Sequence, residues 1–174
     1  MGEYQFTLVI SGDVDRDDAI DALFAAGCDD ATIGTVDGVG YADFVREAPS
    51  FGEAVGTAIK QVESVPGLQV RRVEPDDLVT MTEIAERLRR SRESVRLLVQ
   101  GARGPGGFPP PVSHLKAKSR LWRWSEVAAW AEKLPASRHS RDPLLIAAIN
   151  AALALRESAS KLLPKERQLV QSLR

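Results

Sequence analysis

Ten basic side chains fall between positions 87 and 123: Arg87, Arg89, Arg90, Arg92, Arg96, Arg103, Lys116, Lys118, Arg120 and Arg123. At that density guanidinium and ammonium groups neutralise phosphate, and interleaved side chains such as Ser91, Glu93, Ser94 and Gln100 can hydrogen-bond phosphate or base edges. The chemistry on offer is nucleic-acid binding, with a solvated basic surface as the bland alternative. The run Asp13-Val14-Asp15-Arg16-Asp17-Asp18 opens with the spacing of a calcium loop, but Asp18 stands where that loop needs glycine and Phe24 where it needs a bidentate glutamate. Carboxylates there serve instead to offset the amide dipoles of a helix start. A single cysteine, Cys28, excludes an internal disulfide and a multi-thiolate zinc site, and His114 and His139 show no ligand spacing. With no phosphate-cradling loop, no histidine beside a nucleophile and no dinucleotide fingerprint, neither an enzyme nor a metal or cofactor is expected.

The formal net charge of −1 conceals a division. Residues 1–78 carry 16 carboxylates against 5 cations, and residues 79–174 carry 18 cations against 8 carboxylates. Such asymmetry predicts two domains with different partners. A composition 44% hydrophobic and 27% charged belongs to a folded globular chain. The start MGEYQF lacks the features of a signal peptide, which makes the cytoplasm the expected location. The most apolar stretch, Leu144 to Leu155, is interrupted by Asn150 and is far shorter than the roughly 20 residues of a membrane span, so no membrane association is expected.

The elements that must position these groups follow from periodicity. Tyr4, Phe6, Leu8 and Ile10 alternate as one face of a strand, and Asp15 is placed to cap a helix over 16–26 bearing Ile20, Leu23 and Phe24, stopped by Gly27. Strands over 31–36 and 39–45 flank the turn dipeptide Asp37-Gly38. Ser50 with Glu53 predicts a capping box for a helix bearing Val55, Ile59 and Val62, ended by Pro66-Gly67 before a strand over 68–73. The order βαββαβ predicts a ferredoxin-like domain over 1–76, in an α+β chain.

Thr82 is expected to cap a helix over 83–88, and Ser91 a second one through Val99. Ala85 suits the helix crossing, while Leu88, Val95 and Leu98 seal the interior. That leaves Arg92, Glu93, Arg96 and Gln100 on the outer face, where the start of such a helix reaches base edges in the major groove, with Ser91 and Ser94 touching phosphate. After the glycine- and proline-rich loop 101–111, residues 112–115 and 121–124 are expected to pair as a hairpin with a basic tip, and Ser125 to cap a helix bearing Val127 and Trp130. Trp122, Trp124 and Trp130 read as core, with a stacking platform for single strands as the alternative.

The pattern T-E-I-A-E-R-L at 82–88, S-x-x-S-V at 91–95, F-P-x-P at 108–111 and W-R-W-S-E-V-x-x-W at 122–130 resembles the winged helix-turn-helix proteins of the AlpA and phage-excisionase group, related to the MerR class. The resemblance covers about 79–134 and implies a DNA-binding domain whose second helix enters the major groove while the wing follows the backbone. By matching positions it implies base reading by Arg92, Glu93 and Arg96, and phosphate contact by Lys116, Lys118, Arg120 and Arg123. Arg89-Arg90 replaces the family's usual glycine and apolar residue in the turn, and the loop before the wing is longer than usual.

Asp142-Pro143 starts a C-terminal helix with an apolar stripe of Leu145, Ile149, Ala152 and Leu153, and Pro164 begins another, giving a helical segment over 142–174. The stripe packs on its own chain or pairs with a second copy as a homodimer. The leading expectation is a sequence-specific regulator of double-stranded DNA, bacterial or phage in type. The alternative is an antitoxin-like or adaptor protein whose acidic N-terminal domain binds a protein partner.

Overall fold

The computed structural model describes residues 1–113, 120–133 and 142–173. The chain divides into two compact units, residues 1–75 with 148–174, and residues 76–147. It is mixed α+β, and among the described residues no helix is long and apolar enough to cross a membrane.

The first unit contains β1 (Gly2–Ser11), α1 (Asp17–Ala25), β2 (Ala31–Val36), β3 (Val39–Ala48), α2 (Phe51–Glu63) and β4 (Gln69–Glu74). All four strands pair antiparallel in the order β2-β3-β1-β4. Alternation sets the register: Phe6, Leu8 and Ile10 lie opposite Phe44, Ala42 and Gly40, and this row faces inward. Phe6 stacks on Phe44 at 5.2 Å and meets Phe51 edge-on at 5.9 Å. Asp37 and Gly38 both take positive φ, 51° and 77°, as the twist of a two-residue hairpin requires.

Helix α1 departs from expectation in cap and face. Arg16, not Asp15, is the N-cap residue and its side chain makes no capping bond, while the Asp15 N–H donates to Asp13 Oδ1 at 3.2 Å. Ala19 and Leu23 are the buried pair, whereas Ile20 and Phe24 are 43% and 67% exposed. Ala19 and Leu23 lie four positions apart on one side of the helix, and the larger Ile20 and Phe24, one position further around the wheel, fall on the exposed side. At α2, Ser50 Oγ accepts the Glu53 N–H at 3.2 Å, and only that half of the expected box forms.

A charged side chain occupies the inward row of β3. Arg46 is buried, and its five N–H donors are all engaged: two on Asp30 at 2.7 Å each, and one each on Gln61 Oε1 at 2.6 Å, the Gly27 carbonyl at 2.9 Å and Thr57 Oγ1 at 3.2 Å. Its guanidinium also lies 4.7 Å from the Phe44 ring centroid. One side chain thus ties the turn after α1 to β3 and α2. Beside it, burial pushes the Cys28 thiol up to about 11, with the Arg46 charge opposing.

Helices α6 (Asp142–Lys161) and α7 (Pro164–Ser172) complete the chain. Of the expected stripe on α6, Leu153 is buried and Ile149 half-buried, but Leu145 and Ala152 are exposed and Ile146 is buried in their place. Asn150 explains the offset. Its amide oxygen accepts the Val73 N–H at 2.7 Å and its amide nitrogen donates to the Val73 carbonyl at 2.8 Å, as a neighbouring strand would. Arg156 donates to the Val70 carbonyl at 2.9 Å while Glu63 accepts the Val70 N–H at 3.1 Å. The edge strand β4 is therefore closed by side chains, which removes a template for pairing with other chains.

The second unit contains β5 (Leu78–Val79), α3 (Met81–Arg87), α4 (Arg92–Val99), β6 (Trp122–Arg123) and α5 (Trp124–Ala131). Its core joins Val79, Ile84, Ala85, Val95, Trp122, Trp124, Val127 and Ala128, with Leu98, Trp130 and Ala131 beside them. The three tryptophans are at most 8% exposed, which closes the stacking-platform alternative, since stacking needs an open ring face. Trp130 Nε1 donates to the Gly106 carbonyl at 2.8 Å and the ring lies 4.7 Å from Phe108, anchoring the glycine-rich loop.

Three local expectations here are corrected. Thr80, not Thr82, caps α3, in a complete box with Glu83. Trp124 opens α5 instead of ending a strand, and Arg123, not Ser125, is its N-cap residue. The hairpin is reduced among the described residues to a Ser113–Leu121 bridge, and Trp122–Arg123 pair instead with Leu78–Val79.

The turn from α3 to α4 ends the first helix with Arg89 at φ 52°. The Arg89 N–H bonds the Glu86 carbonyl at 3.0 Å and the Arg90 N–H the Ala85 carbonyl at 2.8 Å, the paired bonds of a Schellman end. A non-glycine residue in that region costs about 1 kcal/mol. Arg89→Gly is therefore expected to raise thermal stability by a few degrees, measured as the midpoint of tryptophan-fluorescence melting; an unchanged or lower midpoint would contradict the strain.

Candidate nucleic-acid interface

Helix α4 owes its orientation to Val95 and Leu98, both buried, and its start to Ser91, whose Oγ accepts the Ser94 N–H at 3.2 Å. With 3.6 residues per turn, Glu93 and Gln100 lie about 170° from that buried seam, and Arg92 and Arg96 flank them at roughly 90° and 130°. Ser91, Arg92, Glu93, Arg96 and Gln100 are all exposed, and Ser94 is half-buried. Arg92, Glu93, Arg96 and Gln100 thus share one face, with Ser91 at its start and half-buried Ser94 around the helix from it.

The side chains on that surface are not equally available. Arg96 donates from Nε and Nη2 to the two Glu93 carboxylate oxygens at 2.8 and 2.6 Å, and from Nη1 to Gln100 Oε1 at 2.7 Å. The guanidinium holds the Glu93 carboxyl below the usual carboxylate range. Arg92 has no hydrogen-bond or ion-pair partner among the described residues and projects unencumbered from the first turn. Arg123, expected on phosphate, lies 3.4 Å from Asp77 Oδ2 and 4.0 Å from Glu126 Oε1, so part of its charge is already met. Arg120 is exposed, whereas Lys116 and Lys118 lie outside the described residues.

Three neighbouring cations complete the picture. Exposed Arg89 and half-buried Arg90 precede α4, on the turn described above. Arg87 belongs to the packing: its guanidinium lies 5.2 Å from the Trp124 ring centroid and donates to the Asp76 carbonyl at 3.4 Å, and burial pulls it below the ordinary arginine value. A buried residue missed by sequence reading fixes the far side of the unit. Asp77 accepts the Ser125 N–H at 2.7 Å through its carboxylate and the Trp124 N–H at 2.6 Å through its carbonyl, supplying the cap that α5 lacks locally.

Charge follows the two units less steeply than the two halves of the sequence. Residues 148–174 carry a net +3 and belong with the N-terminal sheet, leaving −6 on the first unit and +5 on residues 76–147. Among the described residues no cluster of histidine, cysteine and carboxylate groups is arranged to hold a metal. Comparison with protein-family models, curated proteins and solved structures finds no significant match to this chain.

Proposed function

We propose that this chain is a sequence-specific regulator of double-stranded DNA, in which residues 79–134 act as a winged helix-turn-helix of the AlpA/excisionase kind. The observation that carries the reading is α4, anchored inward by Val95 and Leu98 and presenting Arg92, Glu93, Arg96 and Gln100 together on its outer face. A net charge of +5 on the same unit supplies the electrostatic attraction that such binding needs. Ser91, Ser94, Lys116, Lys118, Arg120 and Arg123 serve as phosphate contacts in this reading. The strand order β2-β3-β1-β4 with two helices supports a ferredoxin-like assignment for the acidic unit. A homodimer acting in the cytoplasm would present two such helices to a two-fold site.

The test is binding of the purified full chain to fragmented genomic DNA followed by sequencing, beside Arg92→Ala. The expected result is a shared motif for the native chain and a loss in the variant of about 1–3 kcal/mol of affinity, larger on cognate than on random DNA. Uniform or absent binding by the native chain would refute the reading.

A second reading, an adaptor or antitoxin-like protein, is favoured by the sheet face opposite the helices. Val36, Val39 and Val45 are 50–60% exposed there, with Tyr41 and Val9 half-buried beside them. A stoichiometric protein partner recovered with the native chain, and lost on Val39→Asp/Val45→Asp, would support it.

A further inference from the structure

Within the DNA-reading function proposed above, on which this inference rests, the side chains of α4 divide the work unequally. We infer that Glu93, and not Arg96, is the base-reading group in the first turn of the helix: its carboxylate accepts from the exocyclic amino group of a cytosine, while Arg96 is a positioning residue.

Three observations carry this. Glu93 lies almost opposite the buried Val95–Leu98 seam, as Gln100 does, but only Glu93 stands in the first turn, the part of such a helix that reaches base edges. The Arg96 fork, which would otherwise make the two-pronged contact to guanine, is turned along the helix and spent on both Glu93 oxygens, with its remaining terminal nitrogen on Gln100. An exposed pair three residues apart is cheap to open in isolation. Here, however, the arginine bridges two acceptors along the most outward line of the helix, so one rotamer satisfies Glu93 and Gln100 together. The carboxylate keeps unused lone pairs on each oxygen, and these suit the amino hydrogen that cytosine presents in the major groove. The Arg96 charge also offsets the repulsion that a bare carboxylate would meet between two phosphate strands.

The arrangement implies a defined exchange of preference. Glutamine at position 93 keeps the length of the side chain but adds donors, and such an amide matches adenine better than cytosine. Selection from a random duplex library, using the full chain and its Glu93→Gln and Arg96→Ala variants, reads this directly. Both side chains are exposed, so neither substitution disturbs the core. The native chain is expected to select a motif containing a cytosine whose preference falls about fivefold or more in Glu93→Gln, moving toward adenine at that one position. Arg96→Ala is expected to weaken the same preference while the other positions keep their order, a pattern that a general loss of charge would not produce. A native motif left unchanged by Glu93→Gln overturns the inference and leaves the DNA-reading function standing. A native chain that selects no motif overturns both.

Discussion

Arg46→Met is expected to destabilise the sheet unit by about 3–5 kcal/mol, the range found when one partner of a buried ion pair is removed. The side chain is only 8% exposed and all five of its donors are used, so its loss strands several acceptors at once. Asp30 keeps its charge with 29% exposure, and the Gly27 carbonyl and Gln61 amide lose their partner inside the fold. Methionine fills comparable volume, which separates the electrostatic loss from a cavity. Urea unfolding followed by far-UV circular dichroism measures the effect. A paired variant, Arg46→Met with Asp30→Asn, should recover part of the loss because it removes the stranded charge. A loss under about 1 kcal/mol in the single variant would show that water replaces the arginine network at little cost.

How far the fold was legible depended on the distance over which each interaction acts. The strands β1, β2 and β3 declare themselves through alternation, and Asp37-Gly38 through the backbone region that its turn demands; both signals lie within a few residues. The true cap of α3 was equally local, since Thr80 and Glu83 have the three-residue spacing of a box, and Thr82 with Ala85 three places on does not. Choosing between the two needed only that test. The face of α1 was harder, because Ile20 and Phe24 look more suited to a core than Ala19 does. Only the packed fold shows that the alanine is the inward residue.

Residues joined across long separations gave weaker signs. Arg46 continues the inward row of Ala42 and Phe44 but lies one position beyond the strand expected over 39–45, and its acceptors Gly27, Asp30, Thr57 and Gln61 come from two other segments. Asn150 looked like an interruption of an apolar stripe. Its purpose emerges only when α6 lies along β4 and the amide meets the outward-facing groups of Val73. The outer face of α4 was readable because a single period of 3.6 decides it. The pairing of Arg96 with Glu93 and Gln100 was not read, although the spacings of three and four residues permit it on any helix. That pairing engages all three guanidinium nitrogens of Arg96 along the helix.

Asp77→Ala is expected to destabilise the second unit by about 2–3 kcal/mol, the range for losing a charge-assisted hydrogen bond at a buried site. The N-terminus of α5 leaves amide donors that its own N-cap residue, Arg123, does not satisfy. Asp77 meets them from 48 positions earlier in the chain, its carboxylate holding Ser125 and also drawing Arg123 to 3.4 Å. Alanine keeps the carbonyl that binds the Trp124 N–H and removes only the carboxylate, so the variant isolates the side-chain cap. Asn retains an acceptor of similar reach, and Asp77→Asn should therefore lose no more than about 1 kcal/mol. Tryptophan fluorescence during urea unfolding is the natural probe, because Trp122, Trp124 and Trp130 all belong to this unit. The same change frees Arg123 from its buried partner, so under the proposed DNA-binding function the folded fraction of Asp77→Ala should bind DNA with a steeper salt dependence. An alanine variant as stable as the native chain would mean that solvent satisfies Ser125, and that core packing with the Trp124–Asp77 backbone bond suffices to hold α5 in place.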